Sequence, residues 1–343
     1  MVNYNPSNVG ILGSLFGYPY SLKEADLVLL PVPWDVTVSY GAGTSKGPSA
    51  ILTASPQLDL SLHDIVEPWR YPCAMLDPSE SLEKLSDSLR LPARRIIDQL
   101  EKGQEADLEA IQSINQGCQR MVDFVYDTAK HWMDMGKTVG LVGGDHSTPL
   151  GLIKALAERE SFGILQIDAH MDLREAYEGF TYSHASIMYN AIQLEGVESV
   201  SQVGIRDFCE EEEAFRNTFD KNIFTYFDDQ VKEDLMAGES WSNWVENIVS
   251  RLPAKVYVSF DIDGLIPSLC PNTGTPVPGG LSFESVNYLI RKVVSSGRKI
   301  VGFDLCEVSP GDNDWDANVG ARVLYRLVTM TGISHGKIKS FFK

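Results

Sequence analysis

The chain has 343 residues, 43% of them hydrophobic, and a formal net charge of −18. It can bury one large core. Its acidity argues against nucleic acid as a ligand, since phosphate contacts need clustered Lys and Arg. A cationic solute is compatible, although acidic surface mainly serves solubility. Five scattered cysteines, Cys73, Cys118, Cys209, Cys270 and Cys306, form no C-x-x-C pair and fit a reducing compartment. Cys306 lies in an apolar run and reads as a packed core thiol. Residues 1–6 lack the basic region and apolar core of a signal peptide, and no apolar stretch reaches the roughly 20 residues of a membrane helix. A cytoplasmic protein without membrane or nucleic-acid partners is expected.

Residues 26–32 read as the first strand. The glycine-rich run 41–47 fits neither the Walker pattern nor the dinucleotide fingerprint. It reads as a tight turn bordering a site. Residues 60–92 are mixed and yield no clear element. Helical periodicity runs from about residue 106 to 135, through Val122, Phe124, Val125, Ala129 and Trp132. Strands follow at 138–142, 162–168, 199–205, 223–226, 255–263 and 299–307. Helices are predicted at 150–159, 183–193, 241–251, 282–296 and 318–330. No linker, low-complexity tract or internal repeat divides the chain, so one domain spanning 1–343 is expected. Alternation of this kind predicts an α/β fold of three layers, α/β/α, with a mostly parallel sheet. Ligands in such sheets bind beyond the carboxyl ends of the strands.

Three segments at predicted strand ends carry the chemistry. They are Gly143-Gly144-Asp145-His146-Ser147, Asp168-Ala169-His170-Met171-Asp172 and Asp261-Ile262-Asp263. Period-two alternation would aim Asp168, His170 and Asp172 the same way, and likewise Asp261 with Asp263. Carboxylates and imidazoles facing one point repel unless cations neutralise them. Taken singly, such an aspartate is usually an N-cap or turn residue. Jointly that reading fails: three of six histidines, His146, His170 and His184, fall in one stretch, two of them inside acidic motifs. The candidate ligands are His146, Asp168, His170, Asp172, Asp261 and Asp263. A carboxylate-rich set with one imidazole per metal suits two divalent ions, Mn²⁺ first and Ni²⁺ second. Two metals about 3.5–4 Å apart share a water and lower its pKa. Gly143 and Gly144 read as permitting close approach of the backbone to the metals.

At these residues the chain resembles the ureohydrolase family of arginases and agmatinases, from about Tyr40 to Val328. The three segments match in order and spacing, as do Thr273-Gly274-Thr275-Pro276, Pro278-Gly279-Gly280-Leu281 and the run from Gly302 to Pro310. The resemblance implies an arginase-like fold and homo-oligomers, trimers or hexamers. It makes His146, Asp168, Asp172 and Asp261 ligands of one metal, and His170, Asp168, Asp261 and Asp263 ligands of the other. It implies that Glu307 grips the substrate guanidinium, that His184 shuttles a proton to the leaving amine, and that Asp263 accepts a proton from the attacking hydroxide. Hydroxide attack on the guanidinium carbon would give a tetrahedral intermediate, then urea and an amine.

The run 172–185 looks like agmatinase. Arg174 stands where arginases place an asparagine that helps bind the amino-acid end of arginine. Agmatine is therefore the expected substrate. Residues 1–25 read as an N-terminal extension, and departures from the family pattern are Ile266, the variable segment 60–110 and the run 315–322. These keep guanidine, guanidinobutyrate and other guanidino acids open. Formiminoglutamate hydrolysis, with Arg174 as the partner of an anionic substrate, is a further alternative. So is a catalytically inactive binding homologue. Single-zinc deacetylase chemistry is disfavoured by the six ligands.

Overall fold

The computed structural model describes residues 4–342. Strand β1 (Leu27–Val32) leads through a long loop to helix α1 (Gly47–Ala54). The short strands β2 (Ile65–Val66) and β3 (Cys73–Met75) precede two long helices, α2 (Glu80–Glu101) and α3 (Leu108–Asp134). There follow β4 (Thr138–Gly143), α4 (Leu150–Ala157), β5 (Phe162–Ile167), α5 (Ile187–Ile192) and β6 (Val197–Ile205). Next come α6 (Glu210–Thr218), β7 (Asn222–Phe227), α7 (Asp228–Met236), α8 (Trp241–Arg251) and β8 (Lys255–Asp261). Helix α9 (Phe283–Ser295), β9 (Lys299–Cys306), α10 (Trp315–Ser334) and β10 (Lys339–Ser340) complete the order.

Eight strands form one parallel sheet in the order β3-β1-β4-β9-β8-β5-β6-β7, and β10 pairs antiparallel with β2. Both faces of the sheet are apolar because both are covered, as parallel sheets require. Leu27, Leu29, Leu165, Ile167, Val258 and Phe260 pack on one face against α1 and α8–α10. Leu30, Val32, Leu141, Ile164 and Val200 pack on the other against α2–α5. This is the three-layer α/β/α architecture that the sequence predicts. No described helix is long and apolar enough to cross a membrane.

Two local outcomes differ from expectation, and a third feature carried none. The segment 60–110 is more regular than its sequence suggests, because α2 fills much of it. Ser79 caps that helix by accepting from the Leu82 N–H at 3.3 Å, and Leu82, Ala93, Ile96 and Ile97 form its buried face. Pro92 and the serines inside the helix obscure the periodicity. The helix expected at 183–193 shrinks to α5, since His184–Ser186 form a tight 3₁₀ turn in front of it. The N-terminal stretch packs onto the body, with Phe16 buried edge-on to Tyr325 at 5.0 Å and its N–H on the Ser55 hydroxyl at 2.9 Å.

Candidate metal centre and substrate cleft

The carboxyl ends of four central strands, β4, β9, β8 and β5, converge where the acidic segments lie. His146 follows β4, Asp168 follows β5, Asp261 ends β8 and Glu307 follows β9. The Nδ1 atom of His146 sits 3.0 Å from Asp168 Oδ2, 3.0 Å from Asp172 Oδ2 and 3.3 Å from Asp261 Oδ2. A second group joins it. His170 Nδ1 lies 3.1 Å from Asp263 Oδ2 and 3.6 Å from Asp168 Oδ1. Asp168 thus belongs to both donor groups, His146–Asp168–Asp172 and Asp168–His170–Asp263.

Convergence comes about differently from the strand alternation expected. Strand β5 stops at Ile167 and β8 at Asp261. Beyond them, loops aim the side chains. Asp172 takes a left-handed backbone with φ 56°, and Asp263 sits in a 3₁₀ turn whose N–H donates to Asp261 Oδ1 at 2.8 Å. Glu307 is also left-handed, at φ 62°. Such conformations are costly for residues other than glycine and cluster where surrounding structure dictates a side-chain direction. Gly143 and Gly144 also serve a different purpose from the one expected. A Cβ on Gly144 would collide with the backbone of Trp34, and one on Gly143 with Thr148 and Cys306. These glycines permit tight strand packing beside the site. Cys306 itself is a buried thiol in the core.

The ligand candidates are held by partners that single motifs do not reveal. Gln166 Nε2 donates to Asp168 Oδ2 at 2.8 Å, and Gln202 Nε2 donates to Gln166 Oε1 at 2.7 Å. His146 Nε2 pairs with Ser259 Oγ at 2.9 Å. Glu212 Oε1 accepts from the Leu173 N–H at 3.0 Å, and Arg206 Nη2 donates to the Asp263 carbonyl at 2.7 Å. Gln166, Gln202 and Ser259 sit within strands as buried polar residues, and Glu212 is buried at the start of α6. Polar residues inside otherwise apolar strands are the sequence signal that marks them.

A cavity of about 150 Å³ opens onto this cluster. His170, Asp172, Arg174, Tyr177, His184 and Asp207 are among its lining residues. His184 therefore faces the same space as the ligand candidates. Its Nδ1 has no hydrogen-bond partner, and burial, then the neighbouring imidazoles of His170 and His146, push its pKa down to about 3. Glu307 is buried at 4% exposure. Its Oε1 accepts from the His146 N–H at 3.0 Å, while Oε2 has no partner. Burial, then the charge of Asp145, holds its carboxyl well above the usual range. None of residues 315–322 lines the cavity. Trp315 Nε1 instead donates to the Ser268 carbonyl at 2.9 Å, and buried Asp316 binds Asn272 at 2.8 Å.

The donor set fits divalent cations. His146 Nδ1 is buried and makes no hydrogen bond despite three carboxylate oxygens around it. One imidazole nitrogen carries at most one proton and cannot satisfy three carboxylates. Burial, then the charges of Asp263 and Asp168, drives the Asp261 carboxyl well above its usual range. Divalent cations would relieve that repulsion at once.

A sequence profile described as the Arginase family matches residues 25–330. The chain belongs to the arginase family. N(1)-aminopropylagmatine ureohydrolase of Synechocystis sp. is 30% identical over 322 residues, 92% of each chain. Agmatinase of Bacillus anthracis is 28% identical, over 84% of this chain and 86% of that protein. The crystal structure of agmatine ureohydrolase of Thermoplasma volcanium superposes with a TM-score of 0.73 at 25% identity, covering 95% of this chain and 96% of that one. The arginase-like fold and the ureohydrolase class follow. The protein is a hydrolase acting on C–N bonds in linear amidines, in a family whose chemistry is binuclear and metal-dependent.

Proposed function

We propose that the chain hydrolyses a guanidino amine, agmatine or its aminopropyl derivative, to urea and an amine. The observation that carries this reading is the buried, unpartnered Oε2 of Glu307 beside the His–Asp cluster. A planar guanidinium with paired N–H donors suits a carboxylate held in that way. The tail is read from the cleft. Arg174, its lining cation, is engaged: its Nε lies 3.8 Å from Glu212 Oε2 and its guanidinium stacks 4.8 Å from the Tyr177 ring. It is poorly placed to receive an anionic tail, which disfavours guanidinobutyrate and formiminoglutamate. Asp207, exposed at the cleft, suits an ammonium tail instead.

In this reading His146, Asp168, Asp172 and Asp261 would hold one metal, and Asp168, His170, Asp261 and Asp263 the other. Mn²⁺ is the first choice and Ni²⁺ the second. When bound, the pair supplies a water of lowered pKa that is nucleophilic at neutral pH. Glu307 orients the guanidinium by charge-assisted hydrogen bonds. Asp263 Oδ2, 3.4 Å from Thr275 Oγ1, lies beside His170, where it would accept a proton. His184 is neutral, so it must first gain a proton at the cleft before passing it to the leaving amine.

The test is urea release from agmatine, N(1)-aminopropylagmatine, arginine, guanidinobutyrate and guanidine, and formamide release from formiminoglutamate, with protein loaded separately with Mn²⁺ and Ni²⁺. Agmatine or its aminopropyl derivative should lead by at least about tenfold in kcat/KM over arginine, a difference of about 1.4 kcal/mol. Preference for a carboxylate-tailed compound, or release of formamide from formiminoglutamate, would sink the proposal.

A further inference from the structure

Helix α2 supplies no residue to the cluster, yet two of its arginines reach the loop that walls the cleft. Arg90 Nη1 donates to the carbonyls of Val36 at 3.0 Å and Val38 at 2.8 Å. Arg94 Nη1 donates to the Ser39 carbonyl at 3.1 Å. These carbonyls belong to the loop between β1 and α1, and Ser39 lines the cleft. Two residues on, the Gly41 N–H donates to the Gly274 carbonyl at 3.1 Å. The approach is backbone on backbone: a Cβ on Gly41 would lie 2.8 Å from that oxygen. Gly274 in turn abuts Glu307, since a Cβ there would lie 3.1 Å from Oε2. The physical chain runs from α2 to the loop, to Gly274, to the unpartnered oxygen read as the guanidinium anchor.

The loop is pinned from inside as well. Asp35 Oδ2 accepts from the Gly43 N–H at 2.9 Å and from Ser45 Oγ at 3.1 Å. The negative charges of Asp35, Asp145 and Glu178 favour the Arg90 cation, and the like charge of Arg94 opposes it. Connecting loops of this length are ordinarily mobile. Here one guanidinium nitrogen, Arg90 Nη1, donates to two carbonyls at once, and a lysine ammonium, on a stem of different length and without the planar group, reproduces that geometry only in part. Ordering a wall before the ligand arrives reduces the entropy lost on binding.

We infer that Arg90 and Arg94 are positioning residues that set substrate affinity, by clamping the 36–39 carbonyls so that Ser39 and the Gly41–Gly274 contact form a fixed wall beside Glu307. The inference rests on the guanidino-amine reading of the site. It does not involve the metal ligands.

The experiment compares full-length, metal-loaded wild type with Arg90→Ala, Arg90→Lys and Arg94→Ala. Amide hydrogen exchange is followed across residues 36–43. In parallel, KM and kcat are measured with the best guanidino substrate of the wild type. Arg90→Ala should speed exchange at Gly41 about tenfold and raise KM about tenfold, with kcat within about twofold and metal content unchanged. Arg90→Lys should recover part of both effects, and Arg94→Ala should show the smaller change of one lost bond. Unchanged Gly41 exchange in folded Arg90→Ala would overturn the inference. So would a fall in kcat at constant KM, or a loss of metal. Should Arg90→Ala fail to fold, Arg90→Lys and Arg94→Ala decide by the same readouts. If wild type makes no urea at all, the functional reading fails, while the exchange data still decide the clamp.

Discussion

The two halves of the candidate centre use the same residue types but are held differently. The inner histidine, His146, is 1% exposed, with Nε2 on Ser259 and its backbone N–H on Glu307. The outer histidine, His170, has a side chain 24% exposed that lines the cleft, and the nearest carboxylate to its Nε2 is Asp207 at 3.9 Å. Its backbone N–H is tied to Asp168 Oδ1 at 2.7 Å. The inner half is therefore closed in by buried side chains, Ser259 on β8 and Glu307 just beyond β9, while the outer half faces the cleft, with Asp263 held by the Ala169 N–H and by Arg206. Fixed orientation favours tight binding of an ion, whereas an open face allows exchange with water and substrate. Asp168 joins the two.

The strongest way to break the distinction is to remove what both halves share. Asp168→Asn should lose both metals and lower activity by more than about a hundredfold, beyond what groups merely supporting a ligand cost. Metal analysis and urea release check it together. His184→Ala addresses the cleft side alone. Metal content should stay at the wild-type level while kcat falls about 10²- to 10⁴-fold, as for loss of a general acid. A variant that lost metal would turn His184 from shuttle into ligand. Ser259→Ala sharpens the contrast from the inner side. It removes the partner of His146 Nε2 and should weaken one of two metal-binding steps by about 10- to 100-fold, leaving the other unchanged in a chelator titration.

The smallest effect is a control outside both halves. Burial, then the charge of Glu101, pushes the Glu178 carboxyl up to about 7, from 4.5 for the free group. Between those values the folded chain binds more protons than the unfolded one. The stabilisation is full below pH 4.5 and is lost as pH rises through 7. Glu178→Gln should thus leave Tm unchanged at about pH 4.5 and raise it by about 1–2 °C at about pH 8, the gain being small because the group is half-buried. A drop in Tm at the higher pH would contradict this.

The inner half and the fold are largely legible in the sequence, and the cleft wall is not. Strand ends with Gly-Gly-Asp-His, Asp-x-His-x-Asp and Asp-x-Asp stand out because three acidic motifs gathered at parallel-strand ends repel one another unless cations join them. The route by which they converge is hidden, since the left-handed turn at Asp172 and the 3₁₀ turn at Asp263 leave no periodic signature. Helix α2 escapes notice because Pro92 and its serines interrupt the apolar stripe, although Leu82, Ala93, Ile96 and Ile97 keep helical spacing around them. Arg90 and Arg94 resemble ordinary surface cations until the carbonyls of Val36, Val38 and Ser39 are seen opposite them. Contacts between residues far apart in the chain, made through backbone atoms, carry no residue-type signal. The run 315–322 misleads in the opposite sense: nearness in sequence to Glu307 does not bring it to the cleft.

The most direct test of the central claim, two metal sites joined through Asp168, is metal stoichiometry at equilibrium in Mn²⁺ or Ni²⁺. Wild type should bind two ions per chain, His170→Ala one, and Asp168→Asn none at the same free metal concentration. A wild-type value of one or zero, or two retained in Asp168→Asn, would contradict the account.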